Sequence, residues 1–532
     1  SILKKNSPFI ISEIGINHNG DKKQAVKLIK QSKKSGADSV KFQIRNLSRI
    51  YNKKINYKDN NLEASHQYIF NQLKKSHLNN NDYKYLFKIS KKLGLKVIIT
   101  PFDENSARLG KLSTVDAIKI GSPDAESLFL INKIIEIKKP LIISTGMSSY
   151  NNISKLNSIL KKRKKNYALL HCCSSYPPSN KEIGLSYIKK LKKISKYVGY
   201  SGHERDLGPS LISLFYGAQI IERHLTLNKK AEGPDHNSSL EPHELKKLTL
   251  KSKKVFDFIR KNKPTLKVFL KKFNLYKYKD CLGDGSKNLS QNALFNKKIL
   301  GKSVIYKKNI KKNQILKKEF LEERSPGYGI TSLNVEDYIN KKLLEDVSTD
   351  QYLQANHFKT KTKKLKKIPM RWGMIGRLGD FESYLDDKPD LIEIHLTWRE
   401  LVNPKKIVNK FNQELVVHAP EYFKDHLVDF TSEDKNIISL SLDMLYQVVE
   451  LTKKISNNFI IKNSRGPRIV LHPGGHSFDS IYNLNKKRKY YNLLKNLKKI
   501  NFDGVQLLLE NMPPYPWYYG GEYKQNIFKD HN

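Results

Sequence analysis

The sequence predicts a (β/α)8 barrel, followed by a small β-rich domain and an incomplete second barrel. Two observations predict the first barrel. Within about the first 260 residues, eight short runs rich in β-branched residues alternate with lysine-rich segments that have helical periodicity. The runs are almost continuously apolar, which is typical of parallel strands buried on both faces of their sheet. We therefore assign residues 1–265 to a barrel of this kind.

The predicted strands follow one another at intervals that each leave room for a helix. They are residues 8–15, 39–43, 96–102, 117–122, 140–146, 167–173, 197–203 and 219–227. Gly36 and Gly94 are placed to end helices before the next strand begins. The alternative is a doubly wound open sheet, which would need a glycine-rich phosphate-binding turn after the first strand. The segment there, EIGINHNGD, does not match the GxGxxG pattern.

Composition narrows the class of protein. The 532 residues are 38% hydrophobic, which predicts two to four domains with real cores. The sequence shows no secretory leader, no apolar run of about 20 residues and only three cysteines, so we expect a cytoplasmic enzyme. The net charge of +47 comes from lysines spread along nearly every segment, so it indicates no focused nucleic-acid-binding patch. Because the chain starts at Ser1 and stops just after a strand, we expect it to be truncated at both ends.

Polar side chains lie at the ends of nearly all the predicted strands. They include Glu13, Lys41, Gln43, Thr100, Lys119, Ser122, Ser144, Tyr176, His203 and His224. In β/α barrels the carboxyl ends of the strands form the active site, so these side chains should meet at one mouth. Two lysines there predict an anionic substrate, or else a Schiff-base lysine. Two imidazoles near Asp235 predict either a metal site or an acid–base site.

Eight segments, in order, carry a resemblance to a known family. They are EIGINHNGD, GADSVKFQ, IKIGSPD, ISTGM, LHCCSSYP, GYSGHE, IERHLTL and GPDHNSSLEPHEL. Over about residues 8–350 the chain resembles the sialic acid synthases, a family that includes N-acetylneuraminate, legionaminate and pseudaminate synthases. The resemblance implies condensation of phosphoenolpyruvate with an open-chain mannosamine-type aldehyde, with release of phosphate and formation of a nonulosonic acid.

The resemblance also implies a role for each residue that matches a family motif. Glu13, Lys41 and Lys119 are the implied catalytic residues, with Glu13 handling protons or activating water. His203 and His224 are the implied ligands of a divalent metal, Mn²⁺ above Mg²⁺ or Co²⁺. The implied phosphoenolpyruvate site also contains Thr100, Ser122, Ser144 and Tyr176, and the implied sugar contacts are Gln43 and Asp235.

Two departures from the family pattern leave the acceptor sugar open. Ser174 stands where the family has asparagine after the sixth strand, and Glu126–Ser127 replaces a Thr–Asn pair. Neither change removes a charged catalytic group, so we keep the synthase activity. The acceptor could be N-acetylmannosamine, its 6-phosphate or a 6-deoxy diamino sugar.

Residues 280–352 predict a compact β-rich module, because they combine short strands with turn residues. The stretch SVIYKKNIKKNQILKKEFL resembles the antifreeze-protein-like domain that follows the barrel in this family. The resemblance implies a domain-swapped homodimer in which an arginine of the module reaches the partner's sugar site. Arg324, in the segment ERSPGYG, is the candidate for that arginine.

A basic linker over residues 353–369 precedes a second domain over residues 370–532. Five strand-like apolar runs there, with helical stretches between several of them, predict most of another β/α barrel. The motifs HAPE, HPGG and LLEN resemble the xylose-isomerase-like barrels. His418, His472 and Glu510 fall at successive strand ends, which is the placement of metal ligands or of structural His–Pro turns. We assign this domain no reaction. Two alternatives for the function of the whole chain therefore stay open. One is a protein that acts on nucleic acid, and the other is a non-catalytic sugar-binding scaffold.

Overall fold

The computed structural model describes residues 7–51, 70, 72–287, 289–358, 370–382, 385, 388–423, 426–477 and 485–511, and the short strands Trp517–Tyr518, Glu522–Tyr523 and Gln525–Asn526. The chain divides into two compact units. The main part of the first ends at Lys361, and the main part of the second is Thr362–Tyr518. Among the described residues, every helix is too short or too polar to cross a membrane.

The first unit contains a closed barrel of eight parallel strands in chain order. They are β1 (Phe9–Gly15), β2 (Ser39–Ile44), β3 (Lys96–Pro101), β4 (Ala117–Ile120), β5 (Leu141–Ser144), β6 (Tyr167–Cys172), β7 (Val198–Gly202) and β8 (Ile220–His224). Strand β8 pairs with β1, which closes the sheet. The predicted (β/α)8 barrel is therefore confirmed, and the alternative open sheet is wrong.

Helices surround the barrel because each carries an apolar stripe on one face. In Lys22–Lys34 the buried residues Ala25, Leu28, Ile29 and Ser32 follow the spacing of one helical face, and the side chain of Asp21 caps the first turn. The other helices of this unit before residue 290 are Leu47–Ile50, Asn80–Lys92, Glu104–Ala107, Leu128–Ile135, Tyr150–Lys162, Asn180–Ile183, Ile188–Ile194, Gly208–Phe215, Pro242–Asn262 and Leu266–Lys272. Gly36 and Gly94 have positive φ just after two of these helices, as predicted.

Two layers of buried apolar side chains stabilise the barrel. One lies between the strands and the surrounding helices. The other fills the interior with side chains that include Phe9, Ile11, Ile98, Ile142, Leu170 and Ile220. The interior layer is made by apolar residues from the lower and middle part of the strands, so the polar residues at the carboxyl ends lie above it.

A small module follows the barrel within the first unit. It consists of the helix Gln291–Leu300, the antiparallel pair β9 (Ser303–Tyr306) and β10 (Leu321–Arg324), and its own apolar cluster. It packs on the barrel of the same chain through a buried ion pair, with Lys302 Nζ 2.6 Å from Asp124 Oδ1. The likeness to an antifreeze-like domain and the exchange of this module with a partner stay predictions.

The second unit is built on a parallel sheet of five strands in chain order. In this unit β11 is Gly373–Gly376, β12 Leu391–His395, β13 Glu414–His418, β14 Tyr422–Phe423, β15 His426–Leu427, β16 Arg468–Leu471, β17 His476–Ser477 and β18 Gln506–Leu509. The sheet has the order β11-β12-β13-β16-β18, and the helices are Trp398–Val402, Lys435–Ser456 and Lys486–Leu497. Each of the five apolar runs predicted in this part of the sequence contains one strand of this sheet. The runs begin at residues 371, 390, 414, 468 and 504. Such an order fits the first part of a β/α barrel, and the incomplete barrel itself stays a prediction.

Candidate active site at the carboxyl ends of the barrel strands

A cavity opens at the carboxyl ends of the barrel strands, with about 1030 Å³ of space when the part open to solvent is included. Most of the site residues predicted from the sequence line it. They are Lys41, Gln43, Thr100, Lys119, Ser122, Ser144, Tyr176, His203, His224 and Asp235. Glu13 lies just behind this lining, where its Oε1 accepts a hydrogen bond of 2.8 Å from Gln43 Nε2. The structure thus brings together eleven of the twelve predicted residues.

Strand register explains why residues distant in sequence meet here. Strand β1 sets Glu13 beside Lys41 of β2 on one side and beside His224 of β8 on the other. Strands β2 and β3 pair Gln43 with Thr100. Because alternate side chains of each strand point into the barrel, these groups meet at its mouth.

Glu222 is a central residue that sequence reasoning missed. Its Oε1 accepts hydrogen bonds of 2.9 Å from Lys41 Nζ and from Ser201 Oγ, and Lys119 Nζ lies 3.8 Å from it. Glu222 stands two residues before His224 on β8, and the alternation of side chains along a strand sends both into the same mouth. That spacing was the signal that could have identified it.

The two buried carboxylates, Glu13 and Glu222, differ in pKa. Burial raises the pKa of Glu13 to about 7, although Lys41 acts in the opposite direction. Burial would also raise the pKa of Glu222, but the ammonium groups of Lys119 and Lys41 hold it at about 2. Burial lowers the pKa of Lys119 to about 8. Glu222 is therefore the permanent counter-ion of the lysines, and Glu13 can gain or lose a proton near neutral pH.

The Lys119 ammonium donates a hydrogen bond of 2.6 Å to Ser144 Oγ and one of 3.3 Å to the carbonyl oxygen of Ile120. The Ser122 hydroxyl accepts a hydrogen bond of 3.1 Å from the backbone N–H of Gly146. A Cβ at Gly146 would overlap the hydroxyls of Ser174 and Ser122, so glycine keeps this corner open. An ammonium that shares a cavity with the hydroxyls of Ser144 and Ser122 is suited to a phosphate or carboxylate group.

The two predicted metal ligands face each other across the same mouth. The rings of His203 and His224 have centroids 5.4 Å apart, and Asp235 Oδ2 lies 3.5 Å from His224 Nδ1. The Nδ1 of His203 is 3.1 Å from the carbonyl oxygen of Cys173, which leaves Nε2 for a ligand. Buried His224 Nδ1 makes no hydrogen bond to the described residues, and burial holds its pKa well below the usual value. Burial lowers the pKa of His203, but the neighbouring Cys172 outweighs this effect and raises it overall. Two ring nitrogens in this arrangement fit a divalent ion, which would bind His203 after that ring loses its proton.

A buried ion pair joins the strands that carry the two histidines. Arg223 Nη1 lies 2.9 Å from Glu204 Oε1, and both side chains are almost fully buried. Tyr200 Oη donates a hydrogen bond of 2.8 Å to the other oxygen of Glu204. Glu204 directly follows His203 and Arg223 directly precedes His224, so the pair holds the ends of β7 and β8 in register behind the imidazoles.

Arg324 is the predicted site residue that the structure places elsewhere. It lines a separate depression, donates to the carbonyl oxygen of Arg49, and lies 2.9 Å from Glu322 Oε2. Its predicted role requires a partner subunit and stays a prediction. A different arginine, Arg45, lines the cavity, stacks 3.9 Å from the Phe102 ring centroid and donates to Gln43 Oε1.

The two departures from the family pattern have different surroundings. The carbonyl oxygen of Ser174 accepts a hydrogen bond of 2.9 Å from Asn296 Nδ2, so the small module brings an amide next to this position. Glu126 lies 2.8 Å from Lys297 of that module and does not line the cavity. The Glu126–Ser127 change therefore concerns the contact with the module.

Comparison with known proteins identifies the family. The model of the NeuB family matches residues 28–263. The N,N'-diacetyllegionaminic acid synthase of Campylobacter jejuni is 33% identical over 353 residues, which cover 65% of this chain and 98% of the relative. The chain belongs to the NeuB family of sialic acid synthases. As a NeuB family member it is an enzyme of the N-acetylneuraminate synthase type, and the predicted resemblance is confirmed.

One further relative agrees with the assignment of this NeuB family member, and one solved structure agrees with its fold. The N,N'-diacetyllegionaminic acid synthase of Legionella pneumophila is 30% identical over 359 residues, covering 66% of the chain and 94% of the relative. The crystal structure of the spore coat polysaccharide biosynthesis protein SpsE of Bacillus subtilis superposes with a TM-score of 0.56 at 23% identity. It covers 68% of this chain and 97% of that protein, and it supports the fold.

Proposed function

We propose that the chain catalyses a metal-dependent condensation of phosphoenolpyruvate with N-acetylmannosamine or a related N-acyl sugar. The products are a nonulosonic acid and phosphate. One observation carries the proposal: Lys41 and Lys119 meet two facing imidazoles, His203 and His224, in one cavity. The names of the two legionaminic acid synthases support an N-acylated acceptor of this class.

Phosphoenolpyruvate would bind at the lysine side of the cavity. Lys119 and the hydroxyls of Ser144 and Ser122 would bind one anionic group. Lys41 and the Thr100 hydroxyl stand nearby, and buried Thr100 Oγ1 makes no hydrogen bond to the described residues. Tyr176 lines the same cavity, with its ring centroid 4.1 Å from that of His203, and would close the phosphoenolpyruvate site toward the histidines.

The acceptor sugar would bind at the histidine side. Gln43 and Asp235 would contact its N-acyl and hydroxyl groups, because both line the cavity and Asp235 Oδ2 lies 3.5 Å from His224 Nδ1. His203 and His224 would hold a divalent ion, with Mn²⁺ preferred to Mg²⁺ or Co²⁺. When bound, such an ion supplies Lewis acidity to an aldehyde oxygen. The two imidazoles leave coordination positions for substrate and water.

The chain's own acid–base group is Glu13. In the proposed reaction, carbon three of phosphoenolpyruvate forms a bond to the aldehyde carbon, and the aldehyde oxygen takes up a proton and becomes a hydroxyl. Water adds to the resulting cation at carbon two and loses a proton. The new hydroxyl at carbon two then loses its proton to the departing phosphate as the bond from carbon two to the phosphate oxygen breaks, which leaves the keto group. Glu13, with a pKa of about 7, is suited to accept the proton that the water loses. Gln43 holds Glu13 in place through the hydrogen bond of 2.8 Å.

The test is a phosphate-release assay on the purified full chain with Mn²⁺ and phosphoenolpyruvate. The panel contains N-acetylmannosamine, its 6-phosphate and a 6-deoxy N-acyl diamino sugar. We expect release that depends on both the sugar and the ion, with one sugar preferred. Binding of sugar without release from any of the three would instead favour a sugar-binding scaffold. Tight, steeply salt-dependent binding to duplex DNA would favour the nucleic-acid alternative.

The pH dependence of kcat/KM should be bell-shaped with its maximum between about pH 7 and about pH 8. Glu13 must lose its proton to act as a base, so the rate rises through its pKa of about 7. Lys119 must keep its proton to bind the anion, so the rate falls above its pKa of about 8. The profile of kcat should have its basic limb at higher pH, because bound phosphate stabilises the ammonium. A profile of kcat/KM that stays level from about pH 6 to about pH 9 would contradict both roles.

The homodimer, the contribution of Arg324 to a partner's sugar site and the cytoplasmic location remain predictions. The homodimer and the role of Arg324 can be tested together. If the module is exchanged between subunits, replacing Arg324 should raise the KM for the sugar in the dimer and leave the KM of the monomer unchanged.

A further inference from the structure

Arg45 is a cation of the candidate active site that contacts an amide where a carboxylate would be expected. It directly follows β2, lines the cavity and is partly buried. Its guanidinium donates a hydrogen bond to Gln43 Oε1 and forms no ion pair with the described residues. A partly buried charge that has no opposite charge beside it is uncommon. The contact with Gln43 therefore indicates a function for this arginine in the site.

The position of the Arg45 guanidinium is set by the neighbouring strand β3. The backbone N–H of Phe102 donates a hydrogen bond of 3.0 Å to the carbonyl oxygen of Ile44, which continues the pairing of β3 with β2 beyond the strand ends. The Phe102 ring then lies against the guanidinium, with Arg45 Cζ 3.9 Å from the ring centroid. Stacking on an aromatic ring restricts the plane of a guanidinium and thus the directions of its donors. One of these donors is directed at Gln43.

The two partners of the Gln43 amide determine which way round it lies. A glutamine amide has an acceptor oxygen on one side and a donor NH₂ group on the other. Arginine carries only donors, so the amide oxygen must face Arg45. The NH₂ group then faces Glu13, and Gln43 Nε2 lies 2.8 Å from Glu13 Oε1. An ionised carboxylate only accepts hydrogen bonds, so both contacts select the same orientation.

The same amide has a donor left for a ligand in the cavity. The backbone of Gln43 is fixed, since Tyr83 Oη donates a hydrogen bond of 2.9 Å to its carbonyl oxygen and β3 pairs with it at Thr100. One N–H of the amide is directed at Glu13, and the second makes no hydrogen bond to the described residues. Gln43 lines the cavity, so the second N–H is available to an oxygen atom of a substrate.

We propose that Arg45 is a positioning residue, which fixes the Gln43 amide as a hydrogen-bond donor toward Glu13 and toward the acceptor sugar. This role rests on the proposed synthase reaction. The donor suits a carbonyl oxygen of the N-acyl group or a hydroxyl oxygen of the sugar. Without Arg45 the amide can turn over and bring its oxygen to the Glu13 carboxylate or to the sugar oxygen. Two acceptors would then face each other, and the hydrogen bond would be lost.

The experiment is a double-mutant cycle on the purified full chain, measured as phosphate release with Mn²⁺, phosphoenolpyruvate and the preferred sugar of the panel. We expect Arg45→Met to lower kcat/KM for the sugar by about 10- to 100-fold and to change the KM for phosphoenolpyruvate by less than about twofold. In the Gln43→Met background, Arg45→Met should have no further effect, because the amide through which it acts is gone. Arg163→Met is the matched control and should keep the full rate, because Arg163 is an exposed arginine just after the helix Tyr150–Lys162.

Two more variants separate the positioning role from a structural one. Arg45→Lys keeps a group with donors only, so it should recover part of the lost rate. Arg45→Gln stays polar, but its amide can donate or accept and so does not fix the orientation of Gln43. It should lose as much activity as Arg45→Met, with circular dichroism confirming that both variants are folded.

Each remaining outcome would overturn the role of Arg45. An unchanged kcat/KM in Arg45→Met or in Arg45→Gln would do so. An equal fall of kcat/KM with and without Gln43 would also do so, because Arg45 would then contact the substrate directly. Absence of phosphate release by the wild type would overturn the proposed function as well, whereas an active wild type with unaffected variants would overturn the role of Arg45 alone.

Discussion

Replacing His224 with alanine is expected to lower phosphate release from phosphoenolpyruvate by about 10³-fold while leaving the barrel folded. The loss of one of two facing imidazoles removes half of the predicted metal site. A Lewis-acid metal contributes several kcal/mol to the transition state, and about 1.4 kcal/mol corresponds to a tenfold rate. The measurement is single-turnover phosphate release with saturating Mn²⁺, accompanied by circular dichroism.

A matched control is available in the same unit. His243 is an exposed histidine at the start of the helix Pro242–Asn262, so His243→Ala should keep full activity. Full activity in His224→Ala would remove the basis for a metal at this mouth. Reduced activity together with weaker binding of Mn²⁺ would instead support a role of His224 through the ion.

Replacing Lys41 with methionine is expected to lower the free energy of unfolding by about 3–5 kcal/mol, in addition to impairing phosphoenolpyruvate binding. Lys41 Nζ lies 2.9 Å from Glu222 and 3.3 Å from Glu13, and all three side chains are buried. Methionine has a similar volume but no charge, so the two carboxylates would lose their shared cation. The measurement is urea unfolding followed by far-ultraviolet circular dichroism.

The chain provides its own internal control for this experiment. Its three tryptophans, at positions 372, 398 and 517, all belong to the second half of the sequence. Tryptophan fluorescence should therefore report an unchanged transition of the second unit in the variant. Lys41→Met/Glu222→Gln should recover much of the lost stability, because it removes a carboxylate along with the cation. Equal stability of wild type and Lys41→Met would contradict a structural role for this buried network.

Much of the barrel and its site could be predicted, because both depend on local patterns. Apolar runs separated by amphipathic segments predict each strand, and a polar residue at a strand end identifies the mouth. Glu222 was missed because its position inside an apolar strand conceals it, and only its spacing from His224 indicates where it points. Arg45 lies one residue beyond the end of β2, where the alternation of side chains along the strand no longer predicts which way its side chain points.

The surroundings of the small module could not be predicted in the same way. Its contacts with the barrel, such as Lys302 with Asp124 and Asn296 with Ser174, join residues more than 100 positions apart. Nothing in the local sequence specifies such pairs. The same limit applies to Arg324, whose guanidinium donates to the carbonyl oxygen of Arg49 in the short helix Leu47–Ile50.

The ion pair between Glu204 and Arg223 has a consequence for how the enzyme would acquire its ion. Because the pair ties the ends of β7 and β8 together without help from a metal, the two imidazoles should already stand in place in the apoprotein. Loading would then require no folding step, so uptake of Mn²⁺ should be fast and should scale with its concentration. Release of the proposed ion should also require no unfolding. The enzyme could then exchange one divalent ion for another as the concentrations of these ions in the cell change.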